Sequence, residues 1–330
     1  MRPFEYIRAG EVAAAVALVS ADPGAQYLAG GTTQIDLMLK DGVIAPQRLV
    51  DITHLPLTGV SRRDDTLWVG TLTTMEELAA DPMVAERIPL VRAALLASAS
   101  PQLRNMATIG GNLLQRTRCR YFRDAEVTAC NKRAPGSGCA ALRGPARPHA
   151  ILGASEHCIA VHPSDLCVPL AALDAVVDIE GAGGSRSVPL TEFYVLPGDR
   201  PDIENVLEHG ELITQVRIPL LPPGTRSGYL KVRDRASYEF ALTSAAAALL
   251  IEDGTIVGAR LALGGVGTVP WRAREAEEIL CGAPAADRTF RAAAQAAIRD
   301  PFTVAGTAFK VELARRTIIR ILHTVSGVRP

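Results

Sequence analysis

Four cysteines, Cys119, Cys130, Cys139 and Cys158, fall in one polar stretch between Arg116 and Ser164, spaced C-x10-C-x8-C-x18-C. Thiolates are the protein ligands of zinc and of iron–sulfur clusters, and four on one segment could complete a coordination shell. No C-x-x-C pair occurs, so the usual structural zinc frameworks fit poorly, whereas a [4Fe–4S] cluster accepts four cysteines at varied spacings. Spacing alone leaves a cluster, zinc and unrelated buried cysteines open. Cys167, in the apolar run Leu166–Leu170, and Cys281 beside Gly282 read as small core residues. Residues 116–147 carry eight Lys/Arg against Asp124 and Glu126; that excess reads as a solvated loop, a docking surface or a field stabilising a cluster.

Two glycine pairs form the other chemical signal: Ala29-Gly30-Gly31-Thr32-Thr33-Gln34 and Thr108-Ile109-Gly110-Gly111-Asn112. Glycine lets the backbone approach a ligand and turn consecutive N–H groups toward phosphate oxygens, and the adjacent Thr and Asn side chains can donate to the same oxygens. Either pair alone is an ordinary tight turn. Together they suggest a diphosphate cofactor, and since neither G-x-G-x-x-G nor a P-loop occurs, a non-Rossmann nucleotide site is what remains. Asp165, just before an apolar helix start, reads as a cap or as a partner for a ribose hydroxyl. Lys231, inside Gly228–Val232, reads as a solvent-facing strand residue or a site lysine. The six histidines show no H-E-x-x-H or H-x3-H pairing; His157 and His162 beside the cysteine segment read as surface residues. No G-x-S-x-G elbow supports hydrolase chemistry, and no catalytic side chain is assigned.

The flanking elements must position these groups. Helices are expected over Val12–Ser20, from Thr33 to a stop at Asp41-Gly42, after a capping box at Thr73/Thr74 and Glu76/Glu77, over residues 84–100, across Leu166–Leu173 and near Ala308–His323. Strands are expected at Gln26–Ala29, Arg48–Ile52, Thr66–Gly70, Ala175–Glu180 and Leu212–Ile218, with a hairpin at Asp253-Gly254 between Ala245–Ile251 and Ile256–Leu263. Pro219–Gly224 is the best domain boundary.

The 330 residues allow two or three units with a sizeable core. The net charge is +0 and no run reaches the ~18 apolar residues of a membrane helix, so neither nucleic acid nor a membrane span is implied. Glu5 and Glu11 stand where a secretory signal would be basic, so the apolar Val12–Val19 reads as an amphipathic or buried helix and no signal peptide is expected.

Ala29-Gly30-Gly31-Thr32, Thr108–Leu113, Pro163-Ser164-Asp165-Leu166, Leu173-Asp174-Ala175 and Gly264-Gly265-Val266 followed by Pro270-Trp271-Arg272-Ala273 resemble the FAD-binding medium subunit of the xanthine dehydrogenase, or molybdenum hydroxylase, family. The inserted cysteine loop, with Arg118–Arg123, Ala129–Arg133 and Gly136–Ala140, resembles that of the flavin subunit of periplasmic aldehyde oxidoreductases. More distantly it is similar to that of hydroxybenzoyl-CoA reductase. The resemblance implies an α+β chain with a two-lobed FAD-binding fold of the vanillyl-alcohol-oxidase (PCMH) type, followed by a C-terminal α+β domain as in the CO dehydrogenase flavoprotein. The expected units are 1–57, 58–221 with the insertion at about 115–160, and 225–330.

By the same resemblance, Gln26, Tyr27, Leu28, Ala29, Gly30, Gly31, Thr32, Thr33 and Gln34 would line the pyrophosphate and flavin. Thr108, Ile109, Gly110, Gly111 and Asn112 would give a second phosphate contact, Asp165 the ribose or adenine side, Ile213 the adenine, and Lys231 the isoalloxazine edge. Cys119, Cys130, Cys139 and Cys158 would hold a [4Fe–4S] cluster. Thr33-Gln34 and Ser98 depart from the residues many members carry there. The implied role is electron transfer from [2Fe–2S] clusters on a small partner, fed by a molybdenum cofactor on a large partner, through FAD to an external acceptor. A heterotrimer co-exported to the periplasm with a signal-bearing partner, or otherwise cytoplasmic, is expected. A xanthine dehydrogenase or hydroxybenzoyl-CoA reductase type of complex, a zinc-stabilised scaffold and a self-sufficient flavin oxidase are the alternatives.

Overall fold

The computed structural model describes residues 1–39 and 42–329. The chain forms three sheets in sequence order. In the first, β1 (Glu5–Arg8), α1 (Val12–Ser20), β2 (Ala25–Leu28), α2 (Gln34–Leu39) and β3 (Arg48–Asp51) give a parallel sheet ordered β1-β3-β2. Its central strand buries Leu49 and Val50 completely. Ala15, Val16 and Val19 of α1 are buried at i, i+1 and i+4 and share a core cluster with Val50. The expected helix stop at Asp41 lies outside the described residues.

The second unit begins with β4 (Val60–Arg63), β5 (Thr66–Gly70), α3 (Met75–Ala80), α4 (Pro82–Arg87), α5 (Pro89–Ala97), α6 (Pro101–Arg104) and α7 (Ile109–Leu113). The cysteine segment follows, with only α8 (Arg120–Arg123) and a 3-10 turn at Ala140–Leu142 as regular structure. Then come α9 (Cys167–Ala172), β6 (Val176–Gly181), β7 (Gly184–Pro189), α10 (Leu190–Phe193) and β8 (Leu212–Pro219). The antiparallel sheet runs β4-β5-β8-β6-β7. The capping box forms as expected: Thr74 Oγ1 accepts from the Glu77 N–H at 3.1 Å and Glu77 Oε2 accepts from the Thr74 N–H at 2.8 Å. The single helix expected over 84–100 is instead two, because Pro89 has no N–H to continue α4 and Ile88 leaves helical geometry at φ −139°, ψ 57°. The glycine run after β6 is a hairpin turn leading into β7, a strand not anticipated from the sequence.

The third sheet, β12-β11-β10-β9, comprises β9 (Arg226–Val232), β10 (Thr243–Glu252), β11 (Thr255–Gly264) and β12 (Trp271–Arg272), followed by α11 (Arg274–Leu280), α12 (Asp287–Ala297) and α13 (Phe309–Ser326). The expected Asp253-Gly254 hairpin joins β10 and β11 with φ 45° and 79°, the double left-handed geometry of a type I′ turn. Strand β10 is buried on both faces. Ala245, Ala247 and Leu249 pack with the C-terminal helices, whereas Ala246 and Ala248 join the core of the second unit. Cys281, expected in the core, is exposed because it follows the last turn of α11.

Two segments quoted above for the family resemblance meet where the second and third sheets join. Arg272, with a side chain only 6% exposed, donates to the Ala171 and Ala172 carbonyls and pairs with Asp174 at 3.1 Å and Glu277 at 2.5 Å. Glu277 also accepts from the Leu261 N–H. Removing one partner of such a buried network strands the other charge. We expect Arg272→Met to lower unfolding free energy by about 3–5 kcal/mol, measured by urea denaturation; a loss under about 1 kcal/mol, the scale of an exposed ion pair, would show that the pair is dispensable.

Candidate functional site

The first glycine turn leaves the end of β2 and enters α2. Gly31 has φ +68°, a conformation that a side chain disfavours, and a Cβ on Gly30 would lie 1.9 Å from the Met106 carbonyl oxygen. Among the described residues no protein group accepts a hydrogen bond from the backbone N–H groups of Gly30 through Gln34. These donors border a cavity of about 670 Å³, within the ~300–1,000 Å³ of small-molecule and cofactor sites.

The second turn differs from expectation. The Ile109 and Gly110 N–H groups donate to the Thr73 and Thr71 carbonyls at 2.9 Å each, and the Gly111 N–H donates to Thr108 Oγ1 at 3.3 Å. Asn112 is also committed: its amide reaches the Met75 sulfur at 3.2 Å and its Oδ1 accepts from Ser164 Oγ at 2.6 Å. The second turn therefore cannot offer a run of N–H donors to phosphate. Its glycines serve packing, since a Cβ on Gly110 would lie 1.8 Å from Thr71 Oγ1.

Gln26, Tyr27, Ala29, Gly30, Gly31, Thr32, Thr33, Gln34, Thr108, Gly110, Gly111, Asn112, Asp165, Ile213 and Lys231 all border the cavity. Leu28 and Ile109 do not, and Ile109 is a core residue only 1% exposed. Asp165 is not a cap, because Ser164 Oγ accepts from the Cys167 N–H instead. Its carboxylate meets Lys231 Nζ at 2.8 Å and the Tyr229 hydroxyl at 2.5 Å, with both charged side chains 5% exposed or less. Burial pushes the Asp165 carboxyl up against the pull of Lys231. Lys231 is thus no solvent-facing strand residue. Asp165 and Lys231 form one buried ion pair at the cavity wall.

Sequence reasoning missed the 207–212 segment, which forms a further wall. It is tied to β2 by Tyr27, whose hydroxyl donates to the Gly210 carbonyl at 2.5 Å, and to α1 by His209, whose Nε2 lies 2.8 Å from the Val19 carbonyl. Tyr238 and Phe240 border the cavity while exposing 68% and 41% of their surface. No spacing rule marks these residues; only Gly210, with φ +88°, carries a local signal.

Cys119, Cys130, Cys139 and Cys158 line one small cavity together, and Cys130 and Cys139 face each other across an antiparallel bridge. Burial pushes the Cys119 thiol up to about 12 and raises Cys158 as well. Metal ligation requires the thiolate, so a bound cation would offset this cost. Among the described residues, no three His, Cys, Asp or Glu side chains form a group able to hold a single metal ion. Cys167 lies outside this pocket, fully buried, with its sulfur 3.1 Å from the Tyr194 hydroxyl.

The basic residues of the loop are mostly internal fasteners, not a solvated face. Arg133 donates to the Tyr121, Phe122, Asp124 and Val127 carbonyls, while Arg116 and Lys132 both pair with Glu204, at 2.5 and 2.9 Å. His162, expected at the surface, packs edge-on against Tyr194 with ring centroids 4.4 Å apart, and burial pulls its imidazole down to about 3. His157 is 43% exposed, as expected. His149, which the sequence did not single out, places Nε2 3.2 Å from the Cys119 sulfur, and burial holds it near 4 and so neutral.

Two substitutions test this geometry. Gly30→Ala should drive the two turns apart at the Met106 carbonyl and weaken FAD binding at least tenfold, as read by flavin fluorescence; unchanged affinity would show that the contact can relax. Lys231→Met should cost about 3–5 kcal/mol by removing the cation that pairs with the buried Asp165 carboxylate. Lys231→Met with Asp165→Asn should recover most of that loss in urea denaturation.

The family described as the FAD binding domain in molybdopterin dehydrogenase matches residues 2–221, and the CO dehydrogenase flavoprotein C-terminal domain matches residues 228–325. The chain is 46% identical to the aldehyde oxidoreductase FAD-binding subunit PaoB of Escherichia coli strain K12, over 98% of both chains. It is 30% identical to the 6-hydroxypseudooxynicotine dehydrogenase complex subunit alpha of Paenarthrobacter nicotinovorans, over 98% of this chain and 96% of that one. A chain of the carbon monoxide dehydrogenase from Hydrogenophaga pseudoflava superposes with a TM-score of 0.78 at 26% identity, covering 99% of each chain. With a nucleotide-sized cavity between glycine turns and both family domains in order, the chain belongs to the FAD-binding medium subunits of the xanthine dehydrogenase, or molybdenum hydroxylase, family of oxidoreductases.

Proposed function

We propose that this chain is the FAD- and [4Fe–4S]-carrying electron-transfer subunit of a molybdenum-dependent aldehyde oxidoreductase. In that reading it passes electrons from [2Fe–2S] clusters on a small partner through FAD to an external acceptor, a large partner carrying the molybdenum cofactor. The flavin supplies the exchange between two-electron and one-electron chemistry; the protein binds it, orients it and excludes water. The free N–H run from Gly30 to Gln34 would hold the pyrophosphate. Gly110, Gly111 and Asn112 would form the opposite wall by shape, and Ile213 an apolar surface for the adenine.

The observation that carries the cluster assignment is that all four thiols of the inserted loop line one pocket. Four cysteines that border a common pocket could together complete the four-thiolate ligation of a [4Fe–4S] cluster. The 46% identity to an aldehyde oxidoreductase subunit favours aldehydes over the xanthine and hydroxybenzoyl-CoA alternatives. The same likeness supports a heterotrimer that reaches the periplasm with a signal-bearing partner.

Anaerobically purified protein should contain about four irons and four acid-labile sulfides per chain in addition to flavin. Cys139→Ser should lose most of that iron. Zinc without sulfide, or unchanged iron in Cys139→Ser, would remove the assignment. The compartment is tested by fractionation, with periplasmic recovery expected only when the partner subunits are co-expressed.

A further inference from the structure

We propose that the cysteine loop positions the first glycine turn of the flavin cavity, so that occupancy of the thiol pocket and affinity for FAD are coupled. The inference rests on the [4Fe–4S] reading given above. Thr33, Asp36 and Leu37 stand at i, i+3 and i+4, so they share one side of the turn and helix that follow Gly31. All three are met by the cysteine loop. Arg118, the neighbour of Cys119, borders the flavin cavity, donates to Thr33 Oγ1 at 3.3 Å and lies over the Phe240 ring at 5.0 Å. Arg123 pairs with Asp36 at 3.0 Å and donates through Nε to the Thr117 carbonyl at 3.1 Å. Between these polar contacts Leu37 packs in an apolar cluster with Phe122, Cys130 and Cys119, two of which line the thiol pocket as candidate ligands.

The loop has little regular structure to hold these contacts by itself. Between α7 and α9 it contains one four-residue helix and one 3-10 turn, and its four cysteines border one pocket. Ligation would fix Cys119 and Cys130, and with them Arg118, Phe122 and Arg123. An empty pocket would release the wall against which Thr33, Asp36 and Leu37 rest, and the N–H run at 30–34 would lose its fixed aim. A shared element that both sites bias is the physical basis of coupling between them.

The test measures the FAD dissociation constant of the purified full chain by flavin fluorescence, first with iron in place and then after removal by a chelator. We expect the stripped protein to bind FAD about tenfold more weakly or worse, within the ~5–150-fold span of coupled sites. In Arg118→Gln/Arg123→Gln the iron should remain and its removal should change FAD affinity less than about twofold. Should that variant lose its iron, Asp36→Ala gives the same comparison with the cysteine loop untouched, and its coupling should fall below that of the wild type. Equal FAD constants for loaded and stripped wild type would overturn the coupling while leaving the cluster assignment intact, as would full coupling in Asp36→Ala. A chain that takes up no iron would overturn the cluster assignment and the coupling with it.

Discussion

The site depends on one close approach, that of the backbone at Gly30 to the carbonyl of Met106. A parallel sheet supplies one turn and a helical segment supplies the other, and no shared secondary structure links them. They can meet only where the first turn carries no side chain and the other segment presents its backbone. The second turn is then fixed from behind, because the Thr71 and Thr73 carbonyls take the N–H groups of Gly110 and Ile109. This satisfies buried donors at the start of a short helix. It also leaves the first turn as the one with donors to spare, so the two glycine pairs look alike in sequence and do different work.

The third sheet imposes a second constraint. A strand buried on both faces needs small side chains where helices approach from either side, and β10 meets this with four consecutive alanines, Ala245–Ala248. Gly264 has the same origin, since a Cβ there would lie 2.4 Å from Val168 of α9. Once the sheet is packed against α9, Arg272 reaches the Ala171 and Ala172 carbonyls, and Lys231 and Tyr229 of β9 reach Asp165. The wall of the flavin cavity is thereby completed from three separate parts of the chain.

The cysteine loop is ordered by different means. Lacking a large apolar core, it uses charged donors on carbonyls, with Arg133 gathering four of them and Lys132 reaching the Pro201 carbonyl; the neutral Asn131 closes the turn by accepting from the Gly138 N–H at 2.8 Å. Lys310 from α13, fully buried, donates to the His149 and Gly265 carbonyls and so ties the loop to the third sheet. The local excess of positive charge is explained chiefly by these contacts.

Much of the molecule was legible in the amino-acid sequence. Period-two and period-3.6 patterns located Val12–Ser20, Thr66–Gly70 and the Asp253-Gly254 hairpin, because local sterics and one-sided burial determine them. The two glycine pairs and four cysteines marked the positions that carry the chemistry, since only those residue types permit it. The tertiary structure decided which N–H groups remain free, that Asp165 and Lys231 neutralise each other, that His149 sits on Cys119, and that Thr33, Asp36 and Leu37 face the loop. Each of these is a contact between residues far apart in the chain. Periodicity constrains only a residue and its near neighbours, so the partner is chosen when the sheets and the loop pack.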